Sequence, residues 1–293
     1  MKIINYSFII PHKNRPDLLR RCIDSIPGRD DVQIIVVDDN SSADKKPDIL
    51  RSGVEVILLD EEQSKGAGRA RNVGLKYAKG KWLLFADADD YYNEGFLDVL
   101  DTYKETNYEV VFFNFEYRDG KTGEHLPPLK WGRIFQNYNG TKESRDLIRF
   151  HQKVPWTKMV QRAFVLQHNV YFEEVPNGND ILFSLMIGAF SNNFAVEKRP
   201  LYIYLRNDNS ILTKKLSVDE AISKLIHRIK LNGFYNYIDH KEWKASVFKM
   251  ILHYSWEVGL SFIITVIGRC KELYSYRNDW MSFFKGKIVK VDF

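Results

Sequence analysis

The sequence predicts an α/β fold: a mainly parallel sheet with helices on both faces, extended at the C-terminus by helices alone. Three observations carry that prediction. Short apolar runs alternate with helical periods between residues 6 and 115. The main runs end in polar loops, as strands buried in a parallel sheet do. From Val218 onward the pattern is helical throughout.

The elements follow in order. Tyr6-Ser7-Phe8-Ile9-Ile10 reads as the first strand, stopped by Pro11. Residues 15–26 place Leu18, Leu19, Cys22, Ile23 and Ile26 at helical spacing, with Pro16 suited to the first turn. Gln33-Ile34-Ile35-Val36-Val37 is a buried strand running into Asp38-Asp39-Asn40-Ser41-Ser42. Residues 54–59 give a third strand, 66–78 a helix stopped by Gly80, and 81–86 a fourth strand. A helix at 96–105 and a strand at 109–115 complete this half. Residues 118–140, rich in Gly, Pro and Asn, read as an irregular loop. Helices are expected at 144–150, 163–169 and 181–190, with strands at 194–196 and 201–205. Three further helices are expected at 218–236, 241–258 and 260–276.

Composition narrows the function classes. A chain of 293 residues with 44% hydrophobic content suits one large domain or a domain with an elaboration. Cys22 and Cys270 lie far apart and match no metal-ligand spacing, so two reduced thiols and a cytoplasmic location are expected. The apolar start of the chain lacks the pattern of a signal peptide, and no apolar stretch reaches the ~18 residues of a spanning helix. The charge is uneven. Lys and Arg number 17 against 22 Asp and Glu over 1–120, 14 against 8 over 121–215, and 12 against 8 over 216–293. The basic second half suits an anionic substrate or anionic lipid, and equally a solvated surface. No nucleic-acid partner is expected.

In an α/β sheet of this kind, ligands gather at the carboxyl ends of the strands. Residues 11–15, 38–42 and 87–90 all fall at that edge. The last of these, Asp87-Ala88-Asp89-Asp90, sets three carboxylates in four residues directly after an apolar strand. Clustered carboxylates repel one another and are costly to desolvate without a compensating charge. A hard divalent cation with oxygen ligands supplies that charge. The alternative is that Asp89 or Asp90 caps a helix starting near Asn93.

These residues resemble a known family. Ser7-Phe8-Ile9-Ile10-Pro11 with Asn14-Arg15, then Val36-Val37-Asp38-Asp39-Asn40-Ser41-Ser42, is similar to the start of family 2 glycosyltransferases. Gly66-Ala67-Gly68-Arg69-Ala70-Arg71-Asn72 and Phe85-Ala86-Asp87-Ala88-Asp89-Asp90 continue the match in order and spacing. The resemblance covers about residues 5–115 and 154–213 and does not reach 216–293. It implies a GT-A fold: a nucleotide-sugar half at 1–117, an acceptor half at 118–215 and a helical extension at 216–293.

The resemblance also implies roles. Pro11, Arg15, Asp39, Gly66, Arg71, Asp87 and Ala88 would meet the nucleotide sugar, with Asp39 on the base. Lys13 takes a place commonly held by a stacking aromatic. Lys65 is a further candidate near the diphosphate. Asp89 would hold Mn²⁺ or Mg²⁺ against the diphosphate. On the acceptor side, Trp156 and Asn179 would meet the acceptor and Asp180 would be the catalytic base. Members often have Glu before that aspartate, and Asn179 is an amide instead. The competing role for Asp180 is to cap the helix that begins at Ile181. Glu173 and Glu174 are reserve bases, and Arg206 and Asn209-Ser210-Ile211 belong to the closing strand and loop. His12 reads as a loop histidine beside the nucleotide pocket.

The implied activity is metal-dependent, inverting transfer from a nucleotide sugar, a UDP-sugar, to a saccharide or lipid-linked saccharide of a bacterial surface glycan. A sugar-phosphate nucleotidyltransferase would carry a Gly-rich signature after the first strand, which Pro11-His12-Lys13-Asn14-Arg15 lacks. A non-catalytic scaffold of the same fold would be expected to lose Asp89 or Asp180. The C-terminal aromatics, among them Phe248, Tyr254, Trp256, Phe262, Tyr274, Tyr276, Trp280, Phe283 and Phe284, suit three roles: a cap on the core, a homodimer contact, or a peripheral membrane contact.

Overall fold

The structure is a computed structural model and describes residues 3–48, 51–175, 177–207 and 216–276. The chain divides into two compact units, Met1–Asn207 and Asp208–Phe293. Trp280, Phe283, Phe284 and the Asn209-Ser210-Ile211 segment lie outside the described residues.

The first unit is built on one eight-stranded sheet. Its parallel part comprises β1 (Tyr6–His12), β2 (Val32–Asp38), β3 (Val54–Leu58) and β4 (Trp82–Phe85). Between them run α1 (Pro16–Asp24) and α2 (Ala67–Tyr77). β1 lies between β2 and β4 and buries every residue except the half-exposed Pro11. Pro11 does not end this strand as expected. It pairs with Val37, and the strand continues to His12, opposite Asp38.

The rest of the sheet is mixed. Short β5 (Tyr91–Tyr92) precedes α3 (Phe96–Asp101), and β6 (Val110–Asp119) is followed by α4 (Arg133–Gln136) and α5 (Lys142–His151). Then come β7 (Lys158–Gln161), α6 (Arg162–Gln167), α7 (Ile181–Phe190) and β8 (Phe194–Arg206). The strand order is β3-β2-β1-β4-β7-β6-β8-β5, with β7 antiparallel to both its neighbours. This is the α/β fold with a helical C-terminal part that the sequence predicts.

Four local expectations are corrected. Neither Asp89 nor Asp90 caps a helix, because β5 follows them and α3 starts one residue after Gly95. β6 runs four residues past the expected end, into a hairpin closed by Asp119 N–H on Glu124 O. β7 is not expected at all. The two short strands expected at 194–196 and 201–205 are one strand, with irregular register around Asn114. Pro200 lies at that irregularity, where a residue without an N–H is tolerated.

The second unit is helical. α8 (Val218–Tyr237) starts at a capping box of Ser217 and Glu220. α9 (Val247–Val258) starts at Ser246, which caps the Lys249 N–H. Gly259, at φ 97°, separates α9 from α10 (Leu260–Gly268), and α11 (Cys270–Ser275) follows. Among the described residues no helix is long and apolar enough to cross a membrane.

Candidate active site

The parallel strands bring their terminal loops together. His12 Nδ1 lies 2.7 Å from Asp38 Oδ1, and His12 Nε2 accepts from the Arg15 N–H at 3.1 Å. Nε2 is therefore the acceptor, and Nδ1 carries the proton toward Asp38. Asp38 also accepts from the Ser41 N–H and hydroxyl. This pair is the framework of the loop. Asp39, 4% exposed, is oriented differently. Its Oδ1 accepts from the Gly66 N–H at 3.2 Å and its Oδ2 from Lys13 Nζ at 3.3 Å. Three expected donor-site residues thus meet, with Pro11 near the end of β1 and Arg15 at the start of α1 on either side of the loop. Gly66 adopts φ 84°, ψ −177°, a conformation open essentially to glycine alone, and so turns its N–H to Asp39.

α2 then joins the two halves of the unit. A Cβ on Gly68 would stand 2.0 Å from the Glu173 carbonyl oxygen, so the helix packs directly on that segment. Asn72 and Phe172 exchange side-chain and backbone hydrogen bonds at 2.9 Å each way. Arg71 is buried; its Nη2 donates to Asp87 Oδ1 at 2.5 Å and its Nη1 to Asn179 Oδ1 at 2.7 Å. Its guanidinium also lies over the Phe172 ring. Arg71 therefore contacts the acidic loop and the acceptor-side segment rather than the Asp39 loop.

The three carboxylates of the cluster have three environments. Asp87 receives Arg71 and is half-buried. Asp90 is buried and holds β8, accepting from the Leu205 N–H at 2.9 Å and the Tyr202 hydroxyl at 3.1 Å. The same Tyr202 oxygen accepts from the Asp87 N–H at 3.0 Å. Burial pushes the Asp90 carboxyl well up, with Asp89 and Asp87 adding to the shift. Asp89 accepts from Asn207 Nδ2 at 3.1 Å, and Arg21 holds its backbone carbonyl at 2.8 Å. Burial raises the Asp89 carboxyl, Asp87 raises it further, and Arg15 opposes them. Ala88 stands half-buried between Asp87 and Asp89.

No group of three or more His, Cys, Asp or Glu among the described residues could hold a metal ion on its own. Asp89 offers one carboxylate of the kind a hard cation shared with phosphate oxygens takes; burial first, and Asp87 second, raises its proton affinity.

Asp180 sits at the N-cap position of α7, yet its side chain makes no capping hydrogen bond. Burial raises its carboxyl; Arg71 and Lys158 oppose that shift and Asp87 adds to it. Asn179 is tied to Arg71, as described. Trp156, expected at the acceptor, is 3% exposed and stacks on Tyr202 at 4.6 Å and on Tyr204 at 5.4 Å, so it backs that part of β8 from within the fold. Glu174 pairs with Arg69 at 3.3 Å, and Glu173 is buried against α2. Arg206 pairs with Asp119 rather than turning toward the acidic cluster.

Two residues escape the sequence reading. Tyr202 bridges Asp87 and Asp90, and only its place in an apolar strand marks it. Lys158 is wholly buried and donates to the carbonyls of Gln152 and Val154 at 2.6 and 2.5 Å. Burial pushes its amine down to about 7, against the pull of Asp180.

The fold resembles a crystal structure of Staphylococcus aureus TarS residues 1–349, at TM-score 0.65 and 19% identity over 97% of this chain and 92% of that one. A second TarS structure, in complex with UDP-GlcNAc, aligns at TM-score 0.63 and 19% identity over 96% of this chain and 81% of that one. In sequence, the EpsH glycosyltransferase of Bacillus subtilis is 26% identical over 220 residues, 71% of this chain and 62% of that protein. The poly(ribitol-phosphate) beta-N-acetylglucosaminyltransferase TarS of Staphylococcus aureus is 26% identical over 214 residues, 69% of this chain and 35% of that protein. The chain therefore spans less than two thirds of the length of either relative. The model of glycosyl transferase family 2 matches residues 7–165, more than half of the chain and the whole span from the first strand to the end of β7, and with it this chain belongs to that family.

Proposed function

We propose that the chain transfers a sugar from a UDP-sugar to a hydroxyl of a saccharide or lipid-linked saccharide, with inversion, in the assembly of a surface glycan. The observation that carries this reading is the position of Asp180. Its carboxylate is half-buried, raised by burial and unspent on the helix it precedes, and Arg71 stands beside both it and Asp87. The UDP complexes of the TarS fold relative support the choice of nucleotide.

In this reading Asp39 accepts from the uracil N–H, with Pro11, Lys13, Arg15 and Gly66 around the nucleoside. Asp87 and Ala88 face the ribose and sugar. Asp180 takes the proton of the acceptor hydroxyl as that oxygen attacks the anomeric carbon. The bond from that carbon to the diphosphate breaks, and the electron pair leaves with UDP. A Mn²⁺ or Mg²⁺ ion held at Asp89 would supply charge neutralisation for the departing diphosphate. Asn179 and the part of β8 backed by Trp156 orient the acceptor. A cytoplasmic location belongs to the same proposal, as does contact with a membrane or a second copy.

The test is an incubation with Mn²⁺, a panel of UDP-sugars and saccharide acceptors, read by UDP release and by NMR of the product anomer. Inverted product from the parent, with Asp180→Asn binding the donor but transferring nothing, is the expected result. Retained configuration, or transfer by Asp180→Asn, would overturn it.

A further inference from the structure

The second unit contains an apolar cavity of about 370 Å³ between α8, α9, α10 and α11. That volume is within the range of small-molecule sites, roughly 300–1,000 Å³. Its body is formed by Leu225, Ile229, Ile251, Val266 and Leu273. Its lining residues with polar groups are Asn232, Asn236, Lys244, Cys270 and Tyr274. Asn232 is occupied with the Ala245 backbone in both directions. Lys244 is the one charged lining residue, it donates to Asn236 at 2.9 Å, and it has no ion-pair partner among the described residues. An ammonium carries three donors, so two remain for a ligand.

The packing of this unit leaves room for such a ligand. Its buried cluster consists of Ala221, Ile222, Leu225, Phe262 and Leu273. α9 contributes no fully buried residue to it, although Val247, Met250, Ile251, Tyr254 and Val258 are partly buried against it. The opposite side of α9 exposes Phe248, Leu252 and Trp256, one helical turn apart, and Trp256 is 92% exposed. α9 therefore packs one face on the cluster through half-buried side chains and leaves the other face exposed.

We propose that this cavity binds a single-chain lipid phosphate, with the alkyl or isoprenoid chain in the apolar body and the phosphate at Lys244. Charge complementarity selects the head group: the lining carries one cation and no acid. The apolar body selects the tail, since it would strand a sugar or nucleotide without hydrogen-bond partners. The site lies wholly within residues 225–274 and is independent of the transfer reading, whose residues all lie between 11 and 180.

Cys270 makes the test direct, because it lines the cavity and is exposed, whereas Cys22 is buried. Alkylation of Cys270 in the full chain is timed with dodecyl phosphate, dodecyltrimethylammonium or inorganic phosphate, each below its micellar concentration. Dodecyl phosphate at ten times its dissociation constant should slow alkylation about ten-fold, since the free fraction falls to about one in eleven. The cationic amphiphile and inorganic phosphate should leave the rate unchanged. Ile251→Trp, which fills the body, should abolish the protection. Lys244→Glu, an exposed change that keeps the core, should remove the preference for phosphate. Equal protection by both amphiphiles would reduce the cavity to an unspecific apolar sink and overturn the proposal. So would an unchanged rate with dodecyl phosphate, or protection that survives in Lys244→Glu with its head-group preference intact.

Discussion

Arg71 and Asn179, 108 positions apart, share a hydrogen bond of 2.7 Å from Nη1 to Oδ1, while Arg71 Nη2 holds Asp87. One buried guanidinium therefore links the loop expected to meet the donor sugar to the residue beside the proposed base. The link depends on a planar fork with two separate terminal nitrogens. Arg71→Lys keeps the charge and loses the fork. It should cost about 1–3 kcal/mol, the usual penalty for a buried polar group left unsatisfied, read as a lower urea midpoint with an unchanged slope. A midpoint equal to the parent's would mean that the link contributes nothing to stability.

Two glycines two residues apart should fail for different reasons. Gly66→Ala meets nothing within 4 Å but sits at φ 84°, so its cost is backbone strain of about 1–3 kcal/mol. Gly68→Ala drives a Cβ to 2.0 Å from the Glu173 carbonyl oxygen, and backbone cannot yield as a side chain can. Its cost should exceed the ~1–3 kcal/mol of ordinary overpacking. It should also separate α2 from Phe172 and expose the Asn72 contacts. Hydrogen exchange at the Phe172 N–H separates the two variants: faster in Gly68→Ala, unchanged in Gly66→Ala.

The strand ends are legible in the sequence because a buried parallel strand announces itself as an unbroken apolar run. Where the run stops, a polar loop begins, so the loops that hold Asp39 and the acidic cluster are located from the sequence, whereas Gly66 is singled out only by the family resemblance. The partners of Arg71 are not legible. Asn179 lies across the chain, and a single arginine in a helix period looks like any solvated arginine. β7 is hidden for a local reason: Lys158 opens it, and a lysine in a four-residue run reads as surface until Gln152 and Val154 supply its acceptors. Pro200 likewise splits β8 into two apparent strands, although the pairing with β6 resumes beyond it.

Lys158 should leave a signature in the pH dependence of stability. Its folded amine is pushed down to about 7 from an ordinary 10.5. Between those values the unfolded chain binds more protons than the folded one, so stability rises with pH across that window and is lost as pH falls toward 7. A neutral amine retains two N–H donors, matching the two carbonyls it faces. Lys158→Met should flatten the rise in urea midpoint over that window. It should also lower the stability by about 1–3 kcal/mol, because two carbonyls lose their donor.

Asp89 carries the prediction for the metal. Asp89→Asn keeps the shape and removes the charge. With the parent, titration calorimetry of UDP should show tighter binding with Mn²⁺ than without. With Asp89→Asn that difference should shrink at least ten-fold, about 1.4 kcal/mol. Binding that remains equally Mn²⁺-dependent would move the metal away from Asp89.

Asp180 offers two independent readouts. Burial raises its carboxyl above the ordinary 3.8, Asp87 adds to this, and Arg71 and Lys158 hold it back. The acid limb of kcat/KM, which reports the free enzyme, should therefore lie above the ordinary aspartate range. Lys158→Met removes one of the two opposing cations and should move that limb higher. The stability sign follows from the same shift. A carboxyl whose folded pKa is raised contributes stability below its unfolded pKa and loses it as pH rises through the folded value. Asp180→Asn removes that loss, so relative to the parent it should gain in urea midpoint from acid to neutral pH. A base would show the kinetic and the stability effects together. A carboxylate that only shapes the start of α7 would show the stability effect with an unmoved acid limb, and its replacement by Asn would leave transfer intact.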